Sequence, residues 1–162
     1  MDEIQWAYKE RLYTAEKLVR RHCFYSAGLG FIPIPFADMA GVSANQILML
    51  KRMADLYDVS FKKNIVHSLV STLLADMVTG AGLRLASSYL KALPIVGGVI
   101  GGIPASAYSY VATFAIGKVF IMHFESGGSF LNFDPAEVRT HFEEELKNGE
   151  RHFRRNKRKK PK

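Results

Sequence analysis

The strongest chemical signal in the sequence is a run of basic residues near its C-terminal end. The segment RHFRRNKRKKPK, residues 151–162, holds eight Lys and Arg and no acid. Such side chains donate hydrogen bonds to phosphate oxygens, whether the phosphate belongs to a lipid headgroup or to a nucleic acid. The candidate phosphate or headgroup contacts are Arg151, Arg154, Arg155, Lys157, Arg158, Lys159, Lys160 and Lys162.

The net charge of +7 belongs to this segment and not to the rest of the chain. Residues 1–150 carry fourteen basic and all fifteen acidic residues, a net charge of −1. The basic run repels itself and has no apolar periodicity. We therefore predict a single helical domain over residues 1–150 and a disordered basic tail over 151–162.

Other chemistry is not encoded by any recognisable spacing. The five histidines, at 22, 67, 123, 141 and 152, are scattered, and no HExxH or paired CxxC occurs. The segment GVIGGIP lacks the lysine and hydroxyl of a phosphate-binding loop. We predict no catalytic, metal or cofactor-binding residues, no cofactor, and no enzymatic activity.

Apolar residues recur at helical spacing in most of the chain, which predicts an all-α fold. The first helix carries Ile4, Tyr8 and Leu12 on one face and ends at SAGLGFIPIPFAD; the second begins near Phe36, and a third follows Ser60. In FDPAEVRTHFEEELKNG, Asp134 and Pro135 predict the start of a last amphipathic helix and Gly149 its end. The expected architecture is a compact bundle of about five helices, built from two helical hairpins and this last helix.

Two turns between helices are unusually apolar. GFIPIPFAD (30–38) and LKALPIVGGVIGGIP (90–104) combine proline with large apolar side chains, and loops of this kind must be covered by protein or by lipid. Asp38 is expected to stabilise the N-terminus of the second helix. The residues predicted to shape the turns and the helix contacts are Pro33, Pro35, Asp38, Pro94, Gly97, Gly98, Gly101 and Gly102.

The second turn belongs to a run of 26 uncharged residues, Ala92 to Gly117, which as helix would reach roughly 39 Å. That length permits a transmembrane helix, although the prolines, glycines and hydroxyl residues weaken the case. Two hypotheses stay open, a membrane-inserted hairpin and the core of a soluble bundle. In lipid, Asp38, Asp76 and Arg84 would mark functional positions.

The N-terminal residues and the lone cysteine bear on location. MDEIQWAYKERLYTAEK is acidic and amphipathic, which predicts no signal peptide. Cys23 cannot form an internal disulfide and is expected to be a small buried hydrophobe. Both features indicate a cytosolic or cytosol-facing protein.

Four segments together resemble a known family. GFIPIPFAD (30–38), QILMLKRMADLYDVSF (46–61), LPIVGG (93–98) and TFAIGKVFIMHFESGGSFLNFDP (113–135) are similar to domain of unknown function family 697, the YcjF-like family. The resemblance implies a bacterial α-helical module, often membrane-associated and often fused behind a small GTPase domain, with no known catalytic residue. Asp58 departs from the pattern, since relatives often carry glycine after the tyrosine.

Two functional hypotheses follow. The first is a non-enzymatic, membrane-associated module on the cytoplasmic side of the bacterial inner membrane, inserted or peripheral, with the anionic membrane surface, a separate GTPase and a second copy of the chain as partners. The alternative is a cytoplasmic, self-associating helical bundle whose basic tail binds nucleic acid without sequence specificity.

Overall fold

A computed structural model of the chain describes residues 3–29, 37–79, 99–100 and 103–158. In this part the elements, in chain order, are helices α1 (Glu3–Leu29), α2 (Ala37–Tyr57) and α3 (Lys63–Thr79), strands β1 (Val99–Ile100) and β2 (Ile103–Pro104), and helices α4 (Ala105–Glu125) and α5 (Arg139–Arg158). The predicted all-α bundle is confirmed.

The two short strands were not expected. They pair antiparallel, with Val99 opposite Pro104 and Ile100 opposite Ile103. The sequence places a Gly-Gly pair between them, a composition typical of two-residue hairpin loops. The all-α prediction did not include these four residues of strand.

Helix α4 lies at the centre of the bundle and is buried on nearly every side. From Ser106 to Ile121 only Tyr108 and Lys118 are partly exposed. Helix α1 crosses it antiparallel, since Glu16 pairs with Lys118 near one end of the contact and Ser26 meets Thr113 near the other. Helices α2 and α5 cover the remaining sides, so the hydrophobic core is organised around α4.

Helices α1 and α4 approach most closely at Gly117. A Cβ atom built on this glycine would lie 2.5 Å from Cγ2 of Val19, which is closer than packed carbon atoms allow. Glycine is therefore required here for helix packing, and not for a special backbone conformation.

Two helices end in left-handed residues. Asp58 has a φ of +54° after α2, and the N–H of Val59 donates to the Ala54 carbonyl at 2.9 Å. Gly127 has a φ of +79° after α4, and the N–H of Gly128 donates to the His123 carbonyl at 2.9 Å. Both are Schellman-type ends. Gly127 and Gly128 therefore end α4.

The end of α4 and the loop after it hold an aromatic cluster. Phe120 stacks on Phe133 with ring centroids 4.4 Å apart, and Phe130 contacts both Phe120 and Phe124. His123 donates from Nε2 to the Ser129 carbonyl at 2.9 Å. The HFESGG to FDP segment, which carries much of the family resemblance, thus builds a packed corner of the core.

Helix α5 begins four residues later than predicted and also ends later than predicted. Asp134 Oδ1 accepts a hydrogen bond from the Ala136 N–H at 2.8 Å, and the regular helix follows from Arg139. Gly149 lies inside the helix, where a Cβ atom would be 3.1 Å from Phe114. This glycine permits close α4–α5 packing and does not terminate the helix.

The helical part of α5 therefore includes residues 151–158, which we expected to be disordered. Phe153 contacts Tyr110 with ring centroids 5.4 Å apart, and Asn156 donates to the Tyr110 hydroxyl at 3.3 Å. These contacts bury one side of the segment against α4, which the basic composition alone did not reveal. Residues 159–162 lie outside the described residues.

The uncharged run from Ala92 to Gly117 falls partly within the described structure. Its last thirteen residues open α4, whose side chains pack against α1, α2 and α5. In the described part of the chain, no helix combines the length and the apolarity that crossing a bilayer requires. The transmembrane prediction is thus not supported by these helices.

Replacing Gly117 with alanine should destabilise the fold. The added methyl group would force Val19 or the two helix backbones to move, at a cost of about 1–3 kcal/mol in the free energy of unfolding. Chemical denaturation measures this cost. Val19→Ala in the same chain should recover part of it, whereas Gly28→Ala, at an exposed helical position with nothing within 4 Å, should raise stability. Equal effects of the two glycine changes would contradict the close approach.

Replacing Asp58 with glycine should stabilise the protein. The left-handed conformation disfavours a Cβ atom, and glycine should relieve about 1 kcal/mol. The matched control is Asp55→Gly, at an exposed position inside α2, which should lower stability slightly, by about 0.3 kcal/mol, because glycine has a lower helix propensity than aspartate. Thermal melting of both variants tests this prediction, since the melting temperature should rise for Asp58→Gly and fall for Asp55→Gly.

Candidate functional site

The basic residues of α5 form a stripe along one side of the helix. Arg151, Arg154, Arg155 and Arg158 are spaced three and four residues apart and are all exposed. Residues with this spacing share one helix face. We call these four arginines the basic stripe. Arg154 also pairs with Glu150 at 2.5 Å, within the same helix.

Two arginines of the stripe border a cleft between α1, α4 and α5. The cleft has a volume of about 580 Å³. We call it the basic cleft, because four cationic side chains line it against two carboxylates. Its lining residues are Glu16, Val19, Arg20, Phe114, Lys118, Glu145, Asn148, Arg151, His152 and Arg155.

The cations of the basic cleft are not equally paired. Lys118 donates to Glu16 at 2.9 Å. Arg20, Arg151 and Arg155 form no ion pair with any residue in the described ranges. Three guanidinium groups from two helices therefore surround the cleft with donors that are open to an anion.

The buried wall of the basic cleft contains a carboxylate and an imidazole. Glu145 is 8% exposed; its Oε1 lies 3.9 Å from His141 Nε2, while its Oε2 is buried without a hydrogen-bond partner among the described residues. His152 stacks on Phe114 with ring centroids 5.1 Å apart. Burial lowers the pKa of His152, and the charges of Arg155 and Lys118 lower it further.

A second polar group lies inside the core, where α1, α2 and α4 meet. This buried polar network consists of His22, Ser26, Asn45, Gln46 and Thr113. Asn45 Oδ1 accepts from His22 Nδ1 at 2.7 Å, and Asn45 Nδ2 donates to Ser26 Oγ at 2.7 Å. The hydroxyls of Ser26 and Thr113 share a hydrogen bond of 2.7 Å, so the network links all three helices.

The network fixes the state of His22. Because Nδ1 donates to Asn45, Nε2 of the neutral ring is an acceptor, and it lies 3.5 Å from the Arg52 guanidinium. Burial lowers the pKa of His22 below its ordinary value of 6.5, and the charges of Arg52 and Arg21 act in the same direction. The Asn45 hydrogen bond opposes this shift but does not reverse it.

Cys23 is buried beside this network, as predicted for a small hydrophobe. Burial raises the pKa of its thiol, so the reactive thiolate is disfavoured. No group of three metal-ligating side chains occurs in the part of the chain that the structure describes.

The predicted site residues divide into two sets. The structure brings Arg151 and Arg155 to the basic cleft and leaves Arg154 and Arg158 on the exposed side of α5. The side chains of Asp38, Asp76 and Lys157, which lie in helices, are outside the described set. Entirely outside it are Pro33, Pro35, Arg84, Pro94, Gly97, Gly98, Gly101, Gly102, Lys159, Lys160 and Lys162.

Sequence reasoning did not find the other members of the cleft. Arg20, Lys118 and Glu145 come from three helices, and no local spacing connects them. Glu145 is one of three consecutive glutamates in the sequence, and of the three it is the buried one. Its position four residues before Gly149, on the side of α5 that packs on α4, was the available signal.

Comparison with known proteins gives one family and one relative. The model of a family described as Domain of unknown function (DUF697) matches residues 5–148, from the first turn of α1 into α5. A curated relative is Magnetosome membrane protein 22 of Magnetospirillum gryphiswaldense, 28% identical over 137 residues, which are 84% of this chain and 70% of the relative. No solved structure matches the chain significantly.

Acidification should destabilise the protein through His22. In the unfolded chain the imidazole titrates near 6.5, whereas its pKa is lower in the folded chain. Between these two pKa values the unfolded chain binds more protons than the folded chain. The contribution of His22 to the free energy of unfolding therefore has its full value above pH 6.5 and decreases as the pH falls below 6.5.

Denaturation by urea at pH 7.5 and 5.5 measures this loss. His22→Gln, which keeps an amide donor for Asn45, should reduce the pH dependence, with a smaller reduction from replacing His152. His67→Gln, at an exposed position of α3, is the control. An unchanged pH dependence in His22→Gln would show that this histidine is not the responsible group.

Proposed function

The chain belongs to the DUF697 family, and from that premise we propose that it is a non-enzymatic, membrane-associated helical module that contacts an anionic membrane surface through the basic stripe. The observation that carries the proposal is the arrangement of Arg151, Arg154, Arg155 and Arg158 on one exposed helix face. A relative named as a magnetosome membrane protein supports it.

The stripe has the chemistry that anionic headgroups bind. Each basic residue close to an anionic membrane surface contributes roughly 1 kcal/mol of attraction. Packing of Phe153 and Asn156 on Tyr110 orders this part of α5 in the free protein. Binding therefore loses less conformational entropy than a disordered arm would lose.

An aromatic side chain lies close to the same end of α5. Phe24 is 57% exposed and contacts Tyr110 edge-on at 5.7 Å, and Tyr110 also contacts Phe153. Exposed aromatic rings beside basic residues favour the interface between headgroups and water. This combination supports a membrane surface as the target in preference to nucleic acid.

The basic charge also supports the cytoplasmic leaflet of the bacterial inner membrane as the location, because anionic lipids give the cytoplasmic leaflet its negative surface potential. A separate GTPase and a second copy of the chain stay proposed partners. The GTPase proposal rests on the family resemblance alone, and the self-association proposal on glycine pairs outside the described residues.

Neutralising the stripe should weaken membrane binding. We expect replacement of Arg151, Arg154, Arg155 and Arg158 by glutamine to lower binding to phosphatidylglycerol-containing vesicles at least about tenfold, as the attraction of four basic residues is lost. Co-sedimentation at low salt measures the effect. The matched control replaces four exposed lysines elsewhere, Lys17, Lys51, Lys62 and Lys63, by glutamine and makes the same change in net charge.

Equal losses of vesicle binding in the two variants would show that net charge, and not the stripe, drives binding.

Washing membranes from expressing cells with high salt and then with alkaline carbonate tests the same proposal in the cell. Release of the wild-type chain by salt supports contact through charge. Retention of both the wild type and the stripe variant after carbonate would place the main membrane anchor elsewhere in the chain. Tight, stripe-dependent binding to DNA or RNA without vesicle binding would favour the nucleic-acid alternative.

A further inference from the structure

We propose that the basic cleft between α1, α4 and α5 binds a phosphate ester whose organic part carries a hydroxyl or ammonium group near the phosphate. This chemistry occurs in phospholipid headgroups and in soluble phosphate esters. The inference deepens the proposed function and rests on it in part, because Arg151 and Arg155 belong to both the stripe and the cleft.

The first argument is the convergence of unpaired cations. Arg20 on α1 and Arg151 and Arg155 on α5 line one cleft, and none of them forms an ion pair within the described ranges. Like charges held near one another repel, and an anion bound between them reduces this repulsion. Guanidinium groups match the geometry of phosphate oxygens, to which they donate paired hydrogen bonds.

The second argument is the buried carboxylate. The side chain of Glu145 is 10% exposed, and its Oε2 has no hydrogen-bond partner in the described structure. Glu145 also lines the cleft, so its carboxylate lies beside any ligand that binds there. A simple anion would be repelled by this carboxylate, whereas a ligand that also carries a hydroxyl or ammonium group can donate a hydrogen bond to it.

The two arguments together define the ligand more narrowly than either does alone. The arginines favour a phosphate group, and Glu145 favours a ligand that carries a hydrogen-bond donor close to that phosphate. The volume of about 580 Å³ lies in the range of small-molecule sites and accommodates a headgroup-sized compound. His152, stacked on Phe114, gives the site an aromatic wall with one nitrogen donor and one acceptor when the ring is neutral.

The test uses the full chain and two soluble probes, glycerol 3-phosphate and methyl phosphate, which differ in whether a hydroxyl accompanies the phosphate. Calorimetric titration should show binding of glycerol 3-phosphate and weaker binding of methyl phosphate. Arg20→Gln should weaken glycerol 3-phosphate binding about tenfold, the typical effect of losing one charge-assisted contact. Arg21→Gln is the matched control, since Arg21 is exposed on the same helix, carries the same charge and does not line the cleft.

Glu145→Gln tests the second half of the proposal. It preserves the size of the side chain and replaces the charged acceptor by a weaker, neutral one, so glycerol 3-phosphate should lose part of its advantage over methyl phosphate. Persistence of the full advantage would overturn the role of Glu145. Thermal melting of each variant confirms that the fold is retained and that the affinity changes are local.

Vesicles containing phosphatidylglycerol identify the source of the phosphate. Weaker vesicle binding by Arg20→Gln, with Arg21→Gln unaffected, assigns the cleft to a lipid headgroup. Loss of soluble-ester binding in Arg20→Gln without any change on vesicles assigns it to a soluble ester.

The cleft and the stripe can fail separately. If neither soluble probe binds and Arg20→Gln equals Arg21→Gln on vesicles, the cleft inference is wrong, while loss of vesicle binding in the stripe variant would still support the proposed function. If glycerol 3-phosphate binds but the wild type does not adsorb to anionic vesicles, the proposed function is wrong and the cleft inference holds.

Discussion

The rest of the structure depends on the burial of α4. This helix presents buried residues in every direction from Ser106 to Ile121 apart from Tyr108 and Lys118, so it must be surrounded by other helices. Because Gly117 has no side chain, Val19 of α1 packs directly on the α4 backbone. Because Gly149 has no side chain, the α5 backbone packs closely on Phe114 of α4. The basic cleft is a consequence of this geometry. Helices α1 and α5 flank α4 on two sides, and the space left between the three helices is lined by Val19 and Phe114 among others.

The buried polar network explains how the order of the helices is fixed within an otherwise apolar core. Apolar contacts tolerate small sliding and rotation of helices, whereas hydrogen bonds inside a core do not, because a misplaced partner leaves a buried polar group unsatisfied. Asn45 joins His22 and Ser26 of α1, and Thr113 of α4 joins Ser26 and Gln46. One register of α1, α2 and α4 satisfies these bonds, so the network specifies the arrangement in which Gly117 faces Val19.

The sequence predicted what depends on neighbouring residues and failed where distant residues meet. Apolar spacing located the helices because this signal acts within one or two turns, and Asp134 marked the turn that precedes α5, although the regular helix begins only at Arg139. Gly149 was misread, since a glycine late in a helix is typical of a stop and only the position of Phe114 shows that it serves packing. The basic composition of residues 151–158 suggested disorder, while the decisive fact is that Phe153 and Asn156 meet Tyr110 from a distant part of the chain. The cleft could not be predicted for the same reason, since its charges come from three helices.

Order in the basic stripe changes what its arginines can recognise. A disordered arm adapts to any array of phosphates and discriminates little between them, and the price is the entropy of ordering it at each encounter. On α5 the arginines are held at fixed positions relative to the core, with Arg154 and Arg158 directed to solvent and Arg151 and Arg155 at the edge of the cleft. In the function that we propose, the same helix makes two kinds of phosphate contact, a broad one on its outer face and a confined one beside Glu145 and His152. Of these two proposed contacts, the confined one would select more sharply among phosphate-bearing molecules, because the Glu145 carboxylate repels an anion and favours a ligand that also carries a hydrogen-bond donor.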